Sequence, residues 1–208
     1  MPPRHIVIAL IVASALAGCG SSTSKVAPLP PDYVPVGPGP GRAFRPPAST
    51  AAVRAGRPVA GLRCSPARGP RYGAHLEIFA RDHVVAIPTG IGIRPPLRLS
   101  EARVQHARCY YPVMTADPTG VIEIRPGARV TLGTLFELWG QPLSRRAVAG
   151  FRAPPGRALT AYVGTGAVGV RRWRGNPRAI PLRRHTRIVL ELASAIPPHT
   201  TYDFPPGL

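Results

Sequence analysis

Seven arginines fall within the 17 residues from Arg171 to Arg187, with a tryptophan among them. They are Arg171-Arg172-Trp173-Arg174, then Arg178, Arg183-Arg184 and Arg187. Guanidinium groups hold phosphates, and an indole ring stacks on a base, so this stretch is a candidate anionic-surface binding segment. The competing reading is a solvated hairpin face in an arginine-rich protein. Five histidines follow the first 18 residues: His75, His83, His106, His185 and His199. None of them forms HxH, HxxxH or HExxH. A lone histidine on an alternating strand, as His75 is, is usually a satisfied structural residue. The nine carboxylates are scattered, with no recognisable acid/base pair. There is no GxSxG elbow, P-loop or GxGxxG. The chain therefore reads as non-catalytic and without a cofactor. A Ser/His/Asp site assembled from distant residues would leave no such mark, which keeps an envelope hydrolase as a third reading.

The formal charge is +18, and Lys25 is the single lysine among 27 basic residues. A balance this basic points to an anionic partner such as phospholipid head groups, cell-wall polymer or nucleic acid. The plainer account is a GC-rich genome that favours arginine codons and scatters them over the surface.

Arg4-His5 is a short positive region, and Ile6 to Ala15 is an apolar run too short to span a bilayer, which takes about 20 residues. Leu16-Ala17-Gly18-Cys19 follows at the expected place and resembles the lipobox of bacterial lipoproteins. The resemblance implies removal of residues 1–18, a diacylglyceryl group on the Cys19 thiol, and acylation of the new N-terminus. Two acyl chains suffice for stable anchoring. An exported chain held to the outer face of the cell membrane, or to the outer membrane, is the expected location. Gly20 in place of Asp favours the outer membrane in a two-membrane cell. Intracellular nucleic acid is then an improbable partner, leaving anionic lipid or cell-wall polymer.

With Cys19 assigned to lipidation, Cys64 and Cys109 remain. In an exported chain two remaining cysteines point to one disulfide, closing about 46 residues for roughly 4 kcal/mol of stabilisation. Two separate thiols or a metal pair is the alternative, although no CxxC spacing exists.

Residues 19–60 are rich in Gly, Ser and Pro and lack apolar periodicity, which reads as a disordered tether. Residues 61–208 read as one globular domain, large enough for a real core. Within it, His75–Ala80 and His83–Pro88 read as a hairpin about Arg81-Asp82. Gly90–Ile93 reads as extended and Arg94-Pro95-Pro96 as a break. Val104–Tyr111, Val121–Arg125, Ala158–Val163, Ala167–Trp173 and Arg187–Leu192 read as strands. In Val121–Arg125, Ile122 and Ile124 share one face, and Glu123 and Arg125 the other. Pro126-Gly127 marks a turn. Thr131 is placed to cap a helix over residues 132–139, with Gly140 as its left-handed end. After Pro142 a polar loop is expected to about Arg157.

Cys64, Ala74–Phe79, Ile87-Pro88, Gly90–Ile93, Cys109–Tyr111, Thr119–Ile124, Thr131–Gly133, Trp139-Gly140 and Pro177–Leu182 together resemble a family of uncharacterised exported bacterial proteins, over residues 61 to 192. Histidines of that family invite a copper or zinc site. Here Arg71, Gly73, Met114, Ala116 and Glu123 stand in their places, and His75 alone is retained, as a weak metal candidate.

The fold expected is α+β and mostly β: a small, largely antiparallel sheet with one short helix packed on it. The function expected is that of a membrane-anchored envelope lipoprotein with a non-catalytic interaction or binding domain. A degenerate copper- or zinc-handling protein is the second reading.

Overall fold

Strand alternation and one well-capped helix account for most of the architecture in the computed structural model, which describes residues 48–81, 83–166, 168–193, 198–199 and 201–208. The expected signal, Cys19 and the rest of the expected tether up to residue 47 lie outside the described residues.

The folded part begins earlier than Gly61. Helix α1 (Ala51–Ala55) is capped by the Thr50 hydroxyl, which accepts from Val53 N at 3.2 Å. Gly56, in the left-handed region at φ 71°, ends it. Val53 is fully buried in the core, and the Tyr111 hydroxyl donates to the carbonyl of Arg57. Five residues carry too little periodicity to be seen in a Pro/Gly-rich stretch, so the expected tether boundary at residue 60 is too late.

The strands that follow are β1 (Tyr72–Ala80), β2 (His83–Val84), β3 (Ile93–Ser100), β4 (Arg103–Tyr110), β5 (Val113–Met114) and β6 (Val121–Ile124). Helix α2 (Leu132–Trp139) comes next, then β7 (Leu143–Ser144), β8 (Ala147–Val148), β9 (Phe151–Arg152), β10 (Leu159–Thr165), β11 (Arg171–Trp173) and β12 (Thr186–Leu192). The main sheet runs β11-β10-β12-β1-β6-β5, with β2 also on β1. The chain is α+β and mostly β, as its patterning implies.

All main-sheet pairings but one are antiparallel. The exception is central: β1 and β12 run parallel, with Leu76 beside Ile188 and Ile78 beside Leu190. Ala74, Leu76 and Ile78 join Ile188, Leu190 and Leu192 in the main core. Every residue of β12 is buried, the polar Thr186, Arg187 and Glu191 included. The sequence-based hairpin at residues 75–88 forms only over its first rungs, Phe79 with Val84 and Ala80 with His83.

Helix α2 lies where its pattern put it. Thr131 and Thr134 exchange side-chain to backbone hydrogen bonds, a capping box with Thr in the place usually held by Glu or Gln. Leu132, Leu135, Phe136, Leu138 and Trp139 are buried. Gly133 lets the helix close on the turn Pro177–Ala179, since a Cβ there would lie 2.8 Å from the Arg178 carbonyl oxygen.

Further expectations need correction, and residues 90–92, expected to be extended, form a turn before β3. Arg94-Pro95-Pro96 does not break the chain; it lies inside β3, at a register shift between Arg94 and Leu97. β3 pairs only with β4, so its prolines sit where missing N–H donors are tolerated. The expected polar loop after Pro142 holds a three-stranded meander, β7-β8-β9. Its strands are two residues long, too short to show a period, yet Leu143, Ala147 and Val148 are buried.

The expected disulfide is present: Cys64 and Cys109 are bonded with Cα atoms 5.6 Å apart. It ties the segment before β1 to β4, beside paired backbone hydrogen bonds between Ser65 and Tyr110.

Candidate functional site

The hairpin of β10 and β11 positions the site. Tyr162 pairs with Arg172 and Ala161 with Trp173 across this ladder. β11 is an edge strand, and its charged residues Arg171 and Arg172 are exposed. Edge arginines discourage pairing with another chain, which is reason enough for some of them.

The neighbouring turn holds Trp173 in place. Asn176 caps the turn Pro177–Ala179 by accepting from Arg178 N at 3.0 Å through its side-chain oxygen. Its backbone oxygen accepts from the indole Nε1 of Trp173 at 3.1 Å. Gly175 lies against the ring, where an added Cβ would be 2.9 Å from Nε1. The indole is thus oriented by its own turn, with its single donor spent.

The meander supplies the far wall. The carbonyl of Arg145 accepts from Leu159 N at 2.8 Å, which joins the β7–β8 turn to the start of β10. A cavity of about 300 Å³ results, lined by Arg145, Thr160, Arg172, Trp173, Arg174 and Pro177 among others. Three arginines are among its lining residues and no acidic residue is.

The described carboxylates are engaged elsewhere in several cases. Glu123 takes Arg68 and Arg103, Asp117 takes Arg103, Glu137 takes Arg178, and Glu77 takes His199. Glu191 is buried in β12, and burial raises its pKa.

Only part of the arginine-rich segment comes together. Arg172, Trp173 and Arg174 line the cavity, and Arg171 lies exposed on the same strand. Arg178 is committed to Glu137. Arg184 lies over the Tyr72 ring at 5.4 Å, and Arg183 is exposed nearby in sequence. Arg187 is buried, and its guanidinium donates to the Val168 carbonyl. Arg145 was invisible to sequence reasoning. It is distant along the chain, in a stretch read as loop, and no local pattern couples it to Trp173.

His75 is built into the sheet. It is 6% exposed, its Nε2 lies 3.2 Å from the Thr119 carbonyl oxygen, and its ring stacks on Tyr202 at 3.6 Å. Burial lowers its pKa to about 4, against the pull of the Thr119 hydrogen bond. Among the described residues no three His, Cys, Asp or Glu side chains gather into a metal-sized group. Cys64 and Cys109 are bonded to each other, which removes both as thiolate ligands.

No family model, no curated protein and no solved structure matches this chain.

Proposed function

We propose that this chain is a lipid-anchored envelope protein whose folded domain is a non-catalytic binding module for anionic surface molecules. The observation that carries the binding half is the cavity beside Trp173, with three arginines in its wall and no acid. Guanidinium forks bind phosphate and carboxylate bidentately, and a low local density of acids leaves that capacity unspent. The excess of 27 basic over nine acidic residues adds a general attraction that raises the rate of encounter with such surfaces. The anchoring half rests on Leu16-Ala17-Gly18-Cys19 behind a short apolar run, the pattern of a lipobox.

The two halves fit one role. A basic domain tethered to a membrane meets anionic lipid or wall polymer at high effective concentration, so modest affinity suffices. Labelled palmitate tests the anchor: the wild-type chain incorporates it and Cys19→Ala does not. Equal membrane retention of both would remove the anchor from the account. Retention on vesicles containing anionic lipid, falling as salt rises, tests the binding half.

A further inference from the structure

We propose that the cavity beside Trp173 is a subsite for a single phosphoglycerol group, held by Arg145, Arg172 and Arg174. This rests on the binding-module reading above and names its ligand chemistry.

Four observations lead there. Charge comes first: three exposed arginines are among the lining residues of the cavity, and no acidic residue is. Neighbouring Arg178 is paired with Glu137, so it is not counted among the arginines open to a ligand. Donor chemistry comes second. Arginine presents planar paired donors, which suit the tetrahedral oxygens of a phosphate.

The third observation concerns the aromatic wall. The indole N–H of Trp173 is committed to the Asn176 carbonyl. The ring therefore offers only carbon surface and reads no hydrogen-bonding edge. That suits the CH groups of a glycerol body. It does not provide the base-edge contacts of nucleotide recognition. Size comes fourth. About 300 Å³ is at the low end for a ligand pocket, enough for one small head group.

The walls are also pre-formed. Gly175 packs on the indole, Pro177 is buried at the start of a capped turn, and Arg145 is pinned through its carbonyl to Leu159. The backbone frame is thus fixed, whereas the exposed side chains of Arg145, Arg172 and Arg174 must be ordered by the ligand, which keeps the affinity of the subsite modest.

Phosphoglycerol occurs free and as a lipid head group, and one set of measurements separates these two sources. The full-length protein in neutral detergent is titrated with sn-glycerol 3-phosphate and with inorganic phosphate by calorimetry. Flotation is followed with phosphatidylglycerol and phosphatidylcholine vesicles. Expected is one-site binding of glycerol 3-phosphate, several-fold tighter than inorganic phosphate. The double variant Arg145→Gln/Arg172→Gln should weaken it tenfold or more. The control Arg98→Gln/Arg129→Gln removes equal charge from exposed positions outside the cavity lining and should leave it unchanged. Equal loss in both double variants, or none in either, would overturn the subsite. Flotation on phosphatidylglycerol that persists in the cavity variant, without glycerol 3-phosphate binding, would overturn the subsite and leave the anionic-surface reading standing. Failure to bind any of the probes would overturn both.

Discussion

The guanidinium of Arg68 reaches both carboxylate oxygens of Glu123 through one nitrogen, at 2.6 and 2.8 Å. Glu123 is 1% exposed, and Arg103 from β4 donates to the same carboxylate at 2.9 Å. The pair joins β6 of the main sheet to the segment before β1 and to the β3–β4 hairpin. Arg71 lies close by, its guanidinium donating to the carbonyls of Tyr111 and Pro112. Burial, then the Arg125 charge, lowers the Arg71 pKa to about 10, and Glu123 opposes the shift.

Removing that carboxylate takes the acidic partner from Arg68 and leaves Arg103 with Asp117 alone. Glu123→Gln keeps the shape and is expected to destabilise the fold by about 3 kcal/mol, the lower end for breaking a buried pair. Arg68 and Arg103 are partly exposed, and water recovers some of their solvation. Urea unfolding of the two proteins measures the difference; a change within about 0.5 kcal/mol, typical of surface substitutions, would refute the arrangement.

His75 makes stability depend on pH. Its folded pKa is about 4 and the ordinary value 6.5, so the unfolded chain takes up a proton first as pH falls. The stabilisation is complete above pH 6.5, declines as pH drops toward 4, and levels off below that. The size is roughly 3 kcal/mol, from about 1.4 kcal/mol per pKa unit. His75→Phe should flatten this part of the profile while other groups continue to titrate. Urea midpoints at pH 7 and pH 4.5 for both proteins give the comparison, and parallel profiles would contradict it.

The disulfide should matter in proportion to the loop it closes. Cys64 and Cys109 are 45 residues apart, and Cys64→Ser/Cys109→Ser is expected to lose about 4 kcal/mol on the chain-entropy account. Mass spectrometry of the unreduced protein should show a linked Cys64–Cys109 peptide. Alkylation of both thiols in native protein would refute the bond.

The cap of α2 provides a smaller test. Thr131→Ala deletes the hydroxyl that accepts from Thr134 N, and should cost about 1 kcal/mol. Thr134→Val removes the reciprocal acceptor for Thr131 N and should cost a similar amount. Because the two bonds share one turn, the double variant should lose less than the sum. Thermal melts in a double-mutant cycle read out the coupling; strict additivity would deny the reciprocal cap.

Much of the fold was legible along the chain. The alternation of Leu76 and Ile78 with His75 and Glu77 announces β1, and the 3.6-residue spacing of Leu132, Leu135, Phe136 and Trp139 announces α2. Such patterns are local, because a strand or helix must place its apolar side chains on one face whatever lies opposite. α1 and the meander escaped, since five residues and two residues are too few to show a period. The prolines of β3 were misread because a break and an edge strand look alike when the partner is unknown.

The site was legible only in part. Arg172, Trp173 and Arg174 stood out by composition, whereas Arg145 joins them through the hydrogen bond from Leu159 N to its carbonyl. By itself the sequence determined which residues of β1 and α2 face the core, where α2 starts and stops, and that the domain is strongly basic; each follows from residue type and short-range spacing. Tertiary structure alone decided that β12 lies parallel beside β1, that Glu123 is buried among arginines, and which few of the many arginines share a cavity. Those outcomes depend on which distant segments pack together, and contact between residues far apart in sequence leaves no trace in the order of their neighbours.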